Sequence, residues 1–274
     1  MSWQTALRKT TARLTQGFSR PMFRTKDVDW DRLVSLDFET YYDDDYTLKK
    51  LSTSEYVRDK RFKAQMVGIK IGLNKPTRIY GPKQIAAALK KINWATHALL
   101  CHHTQFDGLI LSHHYGIVPS YYYDTLSMAR GLHSNEIGAG LEEVSLYYGG
   151  QGKLKDVLDT TKGVLDWPPA LFKSVSPYCA NDTDEMLRVF REMHLSMPAK
   201  EMDLIDIIVR MFCDPVLKVN IPRAQAELER EITARNELLS TVVDLAPYKA
   251  DIGVYKKILT KTKERNLPPE EHDQ

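Results

Sequence analysis

The sequence predicts an α/β fold in which a mixed β-sheet is flanked by helices and followed by a C-terminal helical extension. Short apolar segments rich in β-branched residues begin near residue 32, whereas amphipathic helical patterns dominate the second half of the chain. The chain has 274 residues, of which 43% are hydrophobic, which is enough to form a core in one or two domains. The predicted class is therefore a globular protein and not a disordered one.

The predicted elements follow the order β-β-β-α-β-α before the chain becomes helical. Strands are expected at 32–40, 65–73 and 77–81, as a meander, and at 97–101; helices are expected at 83–92 and 106–116. Further helical patterns cover 124–132, 141–149, 169–197, 201–212 and 224–245. A sheet buries its apolar face by packing against another layer of secondary structure. We therefore expect these helices to flank the sheet.

Three regions are predicted along the chain. A basic segment covers residues 1–27, an α/β domain covers 28–197 and a helical extension covers 198–274. Asp166, ahead of Pro168 and Pro169, indicates the start of the long helix near the end of the α/β domain.

The N-terminal segment carries six basic and no acidic residues over its first 26 positions. This composition is typical of an organelle transit peptide, of a basic arm that contacts phosphates, or of a solvated lead-in. The net charge of +2 favours no class of partner by itself.

The sequence contains no apolar run of the ~18 residues that a membrane span requires, and no membrane partner is predicted. The three cysteines, Cys101, Cys179 and Cys213, are an odd number at irregular spacing, which favours a reducing compartment. A cytoplasmic protein is therefore expected.

The candidate site residues follow three segments of the predicted fold. Asp37 and Glu39 alternate on the first strand and so point to the same side. Asp107 lies where a strand meets a helix, and Tyr178 and Asp182 are four apart on a helix. Taken singly, each has a structural interpretation: a polar strand face, an acid at a helix N-terminus, or a solvated acidic surface. Together, in this order, they indicate a catalytic site.

The four carboxylates of this set would repel one another at a sheet edge unless cations neutralise them. Hard oxygen ligands select Mg²⁺ or Mn²⁺, and two such ions stabilise the attacking and leaving oxygens of a phosphoryl displacement. The predicted cofactors are therefore two Mg²⁺ or Mn²⁺ ions.

The segments SLDFET, HHTQFD and YCANDTD resemble the three motifs of the DEDD 3′→5′ exonucleases, in the subtype with Tyr in the third motif. The segment EMDLIDIIVRMFCDPVLKVNIPRAQAELE resembles the helix-loop-helix that joins exonuclease to polymerase in family A DNA polymerases, especially those of phages. The resemblance covers about residues 32–240. It implies an RNase H-like fold and a proofreading-type exonuclease that releases nucleoside 5′-monophosphates from single-stranded or frayed 3′ ends of DNA.

The resemblance also implies a role for each site residue. Asp37, Glu39 and Asp182 would bind the catalytic metal, Asp37 would also contact the second metal, and Asp107 would hold that ion through water. Tyr178, with Glu39, would orient the attacking water. If the protein is phage-encoded, its location would be the host cytoplasm.

Residues that flank the motifs are candidate substrate contacts. These are Phe38, Thr40, His103 and Phe106, with Tyr41 and Tyr42 as further aromatic candidates. Phe38 and Phe106 have a second interpretation as core residues. His103 stands where the family commonly has Asn, so the strand contact there is expected to differ. Candidate phosphate contacts are Lys153, Lys155, Arg58, Lys60, Arg61 and Lys63.

Two other functions stay open at this point. The first is an RNase D-like exoribonuclease, which has the same fold but acts on RNA. The second is a non-catalytic module that binds nucleic acid or docks on a polymerase without cleaving the substrate. No polymerase motif occurs before Gln274, so this chain is not expected to polymerise, and a possible partner is the remainder of a DNA polymerase.

The cluster of Cys101, His102, His103, His113 and His114 matches no standard zinc spacing.

Overall fold

A computed structural model describes residues 28–133, 136–152 and 158–241. The chain divides into two compact units, with the boundary between Val216 and Leu217. The predicted basic segment 1–27 and the candidate phosphate contacts Lys153 and Lys155 lie outside the described residues.

A mixed five-stranded sheet forms the centre of the first unit. Its strands are β1 (Leu33–Thr40), β2 (Ala64–Ile71), β3 (Arg78–Tyr80), β4 (Ala98–Cys101) and β5 (Tyr122–Asp124). They lie in the order β3-β2-β1-β4-β5. The first three are antiparallel neighbours, whereas β1, β4 and β5 run parallel. This confirms the predicted mixed sheet and meander, and it places β1 at the centre.

Among the described residues, the first unit contains seven α-helices: α1 (Thr53–Arg58), α2 (Pro82–Lys90), α3 (Thr104–Tyr115), α4 (Thr125–His133), α5 (Leu141–Tyr147), α6 (Pro169–Met193) and α7 (Ala199–Cys213). Helix α6 packs across β1 and β2, and α3 packs against β1 and β4. The side chain of Phe38 stacks on Tyr115 of α3, with ring centroids 6.0 Å apart. Because alternate side chains of a strand face opposite sides, Asp37 and Glu39 face away from that aromatic pair.

One strand and one α-helix were not predicted from the sequence. Strand β5 is only three residues long and ends directly at α4, so its Tyr-Tyr-Asp segment lacks the alternation that identifies a longer strand. Helix α1 begins at a capping box in which Ser52 and Glu55 satisfy each other's backbone N–H groups. The prediction that Asp124 starts a helix was wrong by one residue, because Asp124 is the last residue of β5.

Helix α7 belongs to the first compact unit, because its carboxylates hold the edge strand. The backbone N–H of Tyr122 donates to Asp206 Oδ1 at 2.8 Å, and the hydroxyl of Tyr121 donates to Asp203 at 3.0 Å. Arg210 donates to the same Asp206 oxygen at 2.7 Å. The predicted functional boundary after residue 197 stays a prediction.

The second unit is described from Leu217 to Thr241 and contains α8 (Ile221–Thr241). Leu228 and Ile232, one helical turn apart, are exposed on it. No helix among the described residues combines the length and the apolar character that crossing a bilayer would require.

Candidate active site

Strand β1 presents Asp37 and Glu39 on one face at the sheet centre, and both side chains are partly exposed. Asp37 lies opposite Gly68 of β2, and Glu39 lies opposite Met66. The register then shifts between Glu39 and Thr40, a bulge of the kind that often re-aims a side chain beside an active site. The two carboxylates therefore stand at the irregular end of an otherwise buried strand.

Asp107 joins this pair from α3 and is only 3% exposed. Its Oδ1 accepts a hydrogen bond from the backbone N–H of Phe38 at 3.0 Å, between Asp37 and Glu39 in the chain. Burial, followed by the charge of Asp37, raises the pKa of the Asp107 carboxyl well above its usual range. A nearby cation would favour the ionised form, so this carboxyl suits a site that holds one.

Helix α6 supplies the third part of the site. Tyr178 and Asp182 are buried on it, one turn apart, as predicted. Between them lies Cys179, whose Sγ is within 4.8 Å of one carboxylate oxygen each of Asp37 and Glu39. This is the only such group of metal-capable side chains within the described part of the chain.

The thiol of Cys179 was not predicted as part of the site. It donates to the backbone carbonyl of Asp37 at 3.6 Å. Its pKa is raised by burial first, and then by the charges of Asp37, Glu39 and Asp182. The three carboxylates therefore act on the same buried thiol, which relates Asp182 on the helix to the pair on β1. The sequence carried no signal for Cys179 beyond its place inside the third motif.

The close approach of α6 to β1 depends on Gly68. A Cβ at this position would lie 2.5 Å from Thr183 Oγ1, 3.0 Å from Cys179 Sγ and 3.2 Å from the Cys179 carbonyl oxygen. Because Gly68 pairs with Asp37, the missing side chain allows the helix to rest directly beside the motif strand.

The turn before α3 is held by Asp124, a buried residue that the sequence did not single out. Its Oδ1 accepts hydrogen bonds from the backbone N–H groups of His103 (2.8 Å) and Thr104 (2.9 Å). Its Oδ2 accepts from the Ser127 hydroxyl at 2.5 Å, at the start of α4. One carboxylate thus caps two helix N-termini, and the first of them carries Asp107. The place of Asp124 directly before α4 is an ordinary N-cap position, but nothing local indicates the bonds to His103 and Thr104.

His103 adopts a left-handed backbone conformation with φ of 73°, alone among the non-glycine residues that the structure describes. This conformation is uncommon, and Asn, Asp and His are the residues that tolerate it best. Burial lowers the pKa of its imidazole. His103 therefore fits the sharp turn into α3, at the position where the sequence resemblance expects Asn.

The other predicted substrate contacts pack against, or hydrogen-bond with, neighbouring side chains of the fold. Phe38 is buried in the core, and Phe106 is half-buried with its ring 5.9 Å from that of Tyr56. The hydroxyls of Thr40 and Tyr56 are 2.8 Å apart. Tyr41 donates to Asp43 at 2.7 Å.

Two of the predicted phosphate contacts are already paired with carboxylates. Arg61 binds Asp59 at 2.7 Å, and Lys63 binds Asp166 at 2.5 Å. His113 and His114 are exposed, and His114 stacks on Phe62 with ring centroids 4.1 Å apart.

No family model matches the chain, and no curated protein matches it. Solved structures do match. Trypanosoma brucei RNase D has a TM-score of 0.51 and 15% identity, over 77% of this chain and 73% of that one. The same enzyme in complex with RNA U12 has a TM-score of 0.51 and 14% identity, over 76% and 68%. Brucella melitensis NrnC with bound Mg²⁺ has a TM-score of 0.46 and 15% identity, over 69% and 86%. The chain therefore has the RNase H-like α/β fold found in RNase D.

Proposed function

We propose that this protein is a metal-dependent 3′→5′ exonuclease that hydrolyses the terminal phosphodiester bond of single-stranded nucleic acid and releases nucleoside 5′-monophosphates. The observation that carries the proposal is the meeting of Asp37 and Glu39 with Asp107 and with the Cys179 turn of α6. Three segments distant in sequence bring acidic groups to one end of the central strand. Neighbouring carboxylates are costly to bury together unless a bound cation neutralises their charges.

The donor set fits a hard divalent ion. Asp37, Glu39 and Asp182 would hold one Mg²⁺ or Mn²⁺ ion, and Asp37 with Asp107 would serve a second. A bound divalent ion supplies Lewis-acid stabilisation of the charge that develops on the phosphate. The raised pKa of Asp107 supports this assignment, because a carboxyl that is unfavourable as an anion by itself gains most from a neighbouring cation.

The protein's own residues would complete the reaction. Tyr178, adjacent to Cys179 on α6, and Glu39 would orient the attacking water toward the phosphorus. His103, at the turn into α3, would contact the substrate strand. No covalent nucleophile is needed, since water attacks directly.

The sugar of the substrate has two candidates. The motif resemblance favours DNA, and with it a proofreading role beside a DNA polymerase. The fold shared with RNase D, one of whose structures is a complex with RNA U12, favours RNA. The named structures are not DNA polymerases, so the proofreading role and the phage origin stay predictions.

The test is a time course on matched 5′-labelled single-stranded DNA and RNA with Mg²⁺ or Mn²⁺. An EDTA control and the double variant Asp37→Ala, Glu39→Ala accompany each series. We expect a ladder that shortens from the 3′ end, needs the metal and is absent in the variant. Faster loss of RNA assigns the exoribonuclease function, and faster loss of DNA the exodeoxyribonuclease function. Intact substrate of both kinds, with oligonucleotide binding retained, would support the non-catalytic binding module instead.

A further inference from the structure

A groove of about 430 Å³ lies beside the candidate active site, between the first turns of α2 and α6. Its walls include the aromatic rings of Trp167 and Phe172, and its rim includes Lys63 and Lys83. None of these four residues belongs to the three motifs, so the reaction proposed above leaves the groove unexplained.

The aromatic wall is partly open to solvent. Trp167 and Phe172 are each half-buried, and both pack at the margin of the small apolar cluster of Met66, Val175 and Cys179. Phe172 lies close against Gly81, where an added Cβ would be 3.2 Å from its ring. The rings are thus held in place while part of their surface stays accessible, which suits stacking of a planar ligand.

The charges around the groove favour an anion. Lys83 is exposed at the start of α2, and Lys63 is bound to Asp166, the acidic residue of the wall. Pro82 in the first turn of α2 and Phe172 in the first turn of α6 both line the groove. The positive N-terminal ends of two helix dipoles therefore lie near it. The groove therefore joins stacking surfaces with a positive potential.

The groove and the candidate active site lie along the same helix, α6. Phe172, Val175 and Cys179 follow one face of α6, at spacings of three and four residues. Seven residues of helix place Phe172 about 10 Å along the axis from Cys179. The Sγ of Cys179 lies within 4.8 Å of a carboxylate oxygen of Asp37 and of Glu39. A strand whose 3′ end occupies the site can therefore reach the groove with a nucleotide upstream of the cut bond.

We propose that this groove binds an upstream nucleotide of the substrate strand, with its base stacked on Trp167 and Phe172 and its phosphate near Lys83 and Lys63. The inference rests on the proposed function, because it uses the same strand. It predicts that substrates too short to reach the groove bind more weakly than longer ones.

The kinetic test compares Lys83→Glu with the wild type on an oligothymidylate and on a thymidine dinucleotide, and on the uridine equivalents if RNA is the better substrate. Lys83 is exposed near a helix N-terminus, where Glu is favourable, so the variant should fold. Lys90→Glu makes the same charge change at the other end of α2 and serves as the control. We expect KM for the long substrate to rise roughly tenfold in Lys83→Glu only, with the dinucleotide unaffected. The same KM for the long substrate in Lys83→Glu and in the wild type would overturn the proposal.

A binding test separates this proposal from the nuclease itself. In EDTA, fluorescence quenching by the oligonucleotide is compared for the wild type and for Trp167→Phe, and affinity by anisotropy is compared for Phe172→Ala. We expect the quenching to fall in the first variant and the affinity to fall roughly tenfold in the second. These results would support the groove even if no cleavage occurred. Unchanged quenching and affinity would overturn it even in an active nuclease.

Discussion

The backbone N–H of Phe38 donates a hydrogen bond to the Oδ1 of Asp107 at 3.0 Å. The donor lies between Asp37 and Glu39 on β1, so this bond ties α3 directly to the strand that carries the proposed metal ligands. The acceptor is buried and its pKa is raised by burial and by Asp37. Asp107 is thus both a structural contact of β1 and a carboxyl whose ionisation the folded protein disfavours.

Replacing Asp107 by Asn should stabilise the protein in EDTA at neutral pH. The Asn side-chain oxygen can still accept from the backbone N–H of Phe38, while the buried ionisable group is removed. The folded-state pKa of Asp107 lies above its unfolded value, so the wild type loses stability as pH rises from the unfolded pKa toward the folded pKa. We expect Tm of the variant to exceed that of the wild type by on the order of a few °C at pH 7, and the gap to close near pH 3.

Adding Mg²⁺ should have the opposite effect on the difference in Tm between the two proteins. A ligand that binds only the folded state raises its stability by mass action, so the wild type should gain more from Mg²⁺ than Asp107→Asn does. Thermal unfolding at several Mg²⁺ concentrations measures both series. A lower Tm for Asp107→Asn than for the wild type, in EDTA at neutral pH, would contradict our view that the buried Asp107 carboxyl destabilises the folded protein.

Gly68→Ala should weaken both the fold and the activity. Its methyl group would lie 2.5 Å from Thr183 Oγ1 and 3.2 Å from a backbone oxygen of α6, so the helix would have to shift away from β1. We expect a loss of about 1–3 kcal/mol in the free energy of unfolding, measured in urea. The nuclease rate should fall as well, because Tyr178 and Asp182 move with the helix.

Gly131→Ala is a matched control for that change. Gly131 is exposed in α4, and an added Cβ would meet only the flexible end of Met197 at 3.2 Å. Since Ala has the higher helix propensity, this variant should retain stability and activity. If Gly68→Ala behaved like the control, the close packing of α6 would not matter to the site.

Asp124→Ala should lower the nuclease rate although Asp124 lies in none of the three motifs. The substitution leaves the backbone N–H groups of His103 and Thr104 without their acceptor, at a cost of about 1–3 kcal/mol. The first turn of α3 would loosen, and with it the placement of Asp107. Unfolding in urea and the nuclease rate, measured side by side, test this.

Asp124→Asn distinguishes capping from charge. An Asn oxygen in the place of Oδ1 can keep the hydrogen bonds from the backbone N–H groups of His103 and Thr104. Only the two bonds that Ser127 donates to Oδ2, from its backbone N–H and its hydroxyl, would change. We therefore expect most of the stability and rate lost in Asp124→Ala to return in Asp124→Asn. Equal losses in the two variants would show that the carboxylate acts through its charge instead.

Local periodicity sufficed for much of the fold. The short apolar run LVSLDFET identified β1, and the helical spacing around Tyr178 and Asp182 identified α6 within a few residues of its end. Strand β5 escaped because three residues are too short for a pattern, and its pairing with β4 depends on contacts distant in sequence.

The parts of the site that escaped prediction depend on contacts between distant segments. Gly68 matters only because it faces Thr183 and Cys179, more than a hundred positions later in the chain. Asp124 matters because its carboxylate reaches back to His103. Neither relationship leaves a local pattern, so sequence spacing alone does not reveal them.

The most direct test of the central claim is product analysis with the wild type and Asp37→Asn on one single-stranded oligonucleotide in Mn²⁺. Both proteins are first compared by circular dichroism, so that a difference in rate is not a difference in folding. We predict that the wild type releases nucleoside 5′-monophosphates one at a time from the 3′ end and that the variant is slower by about a hundredfold or more. Equal rates in the two proteins, or internal cleavage products, would contradict the assignment of Asp37 and its neighbours as the centre of a 3′→5′ exonuclease.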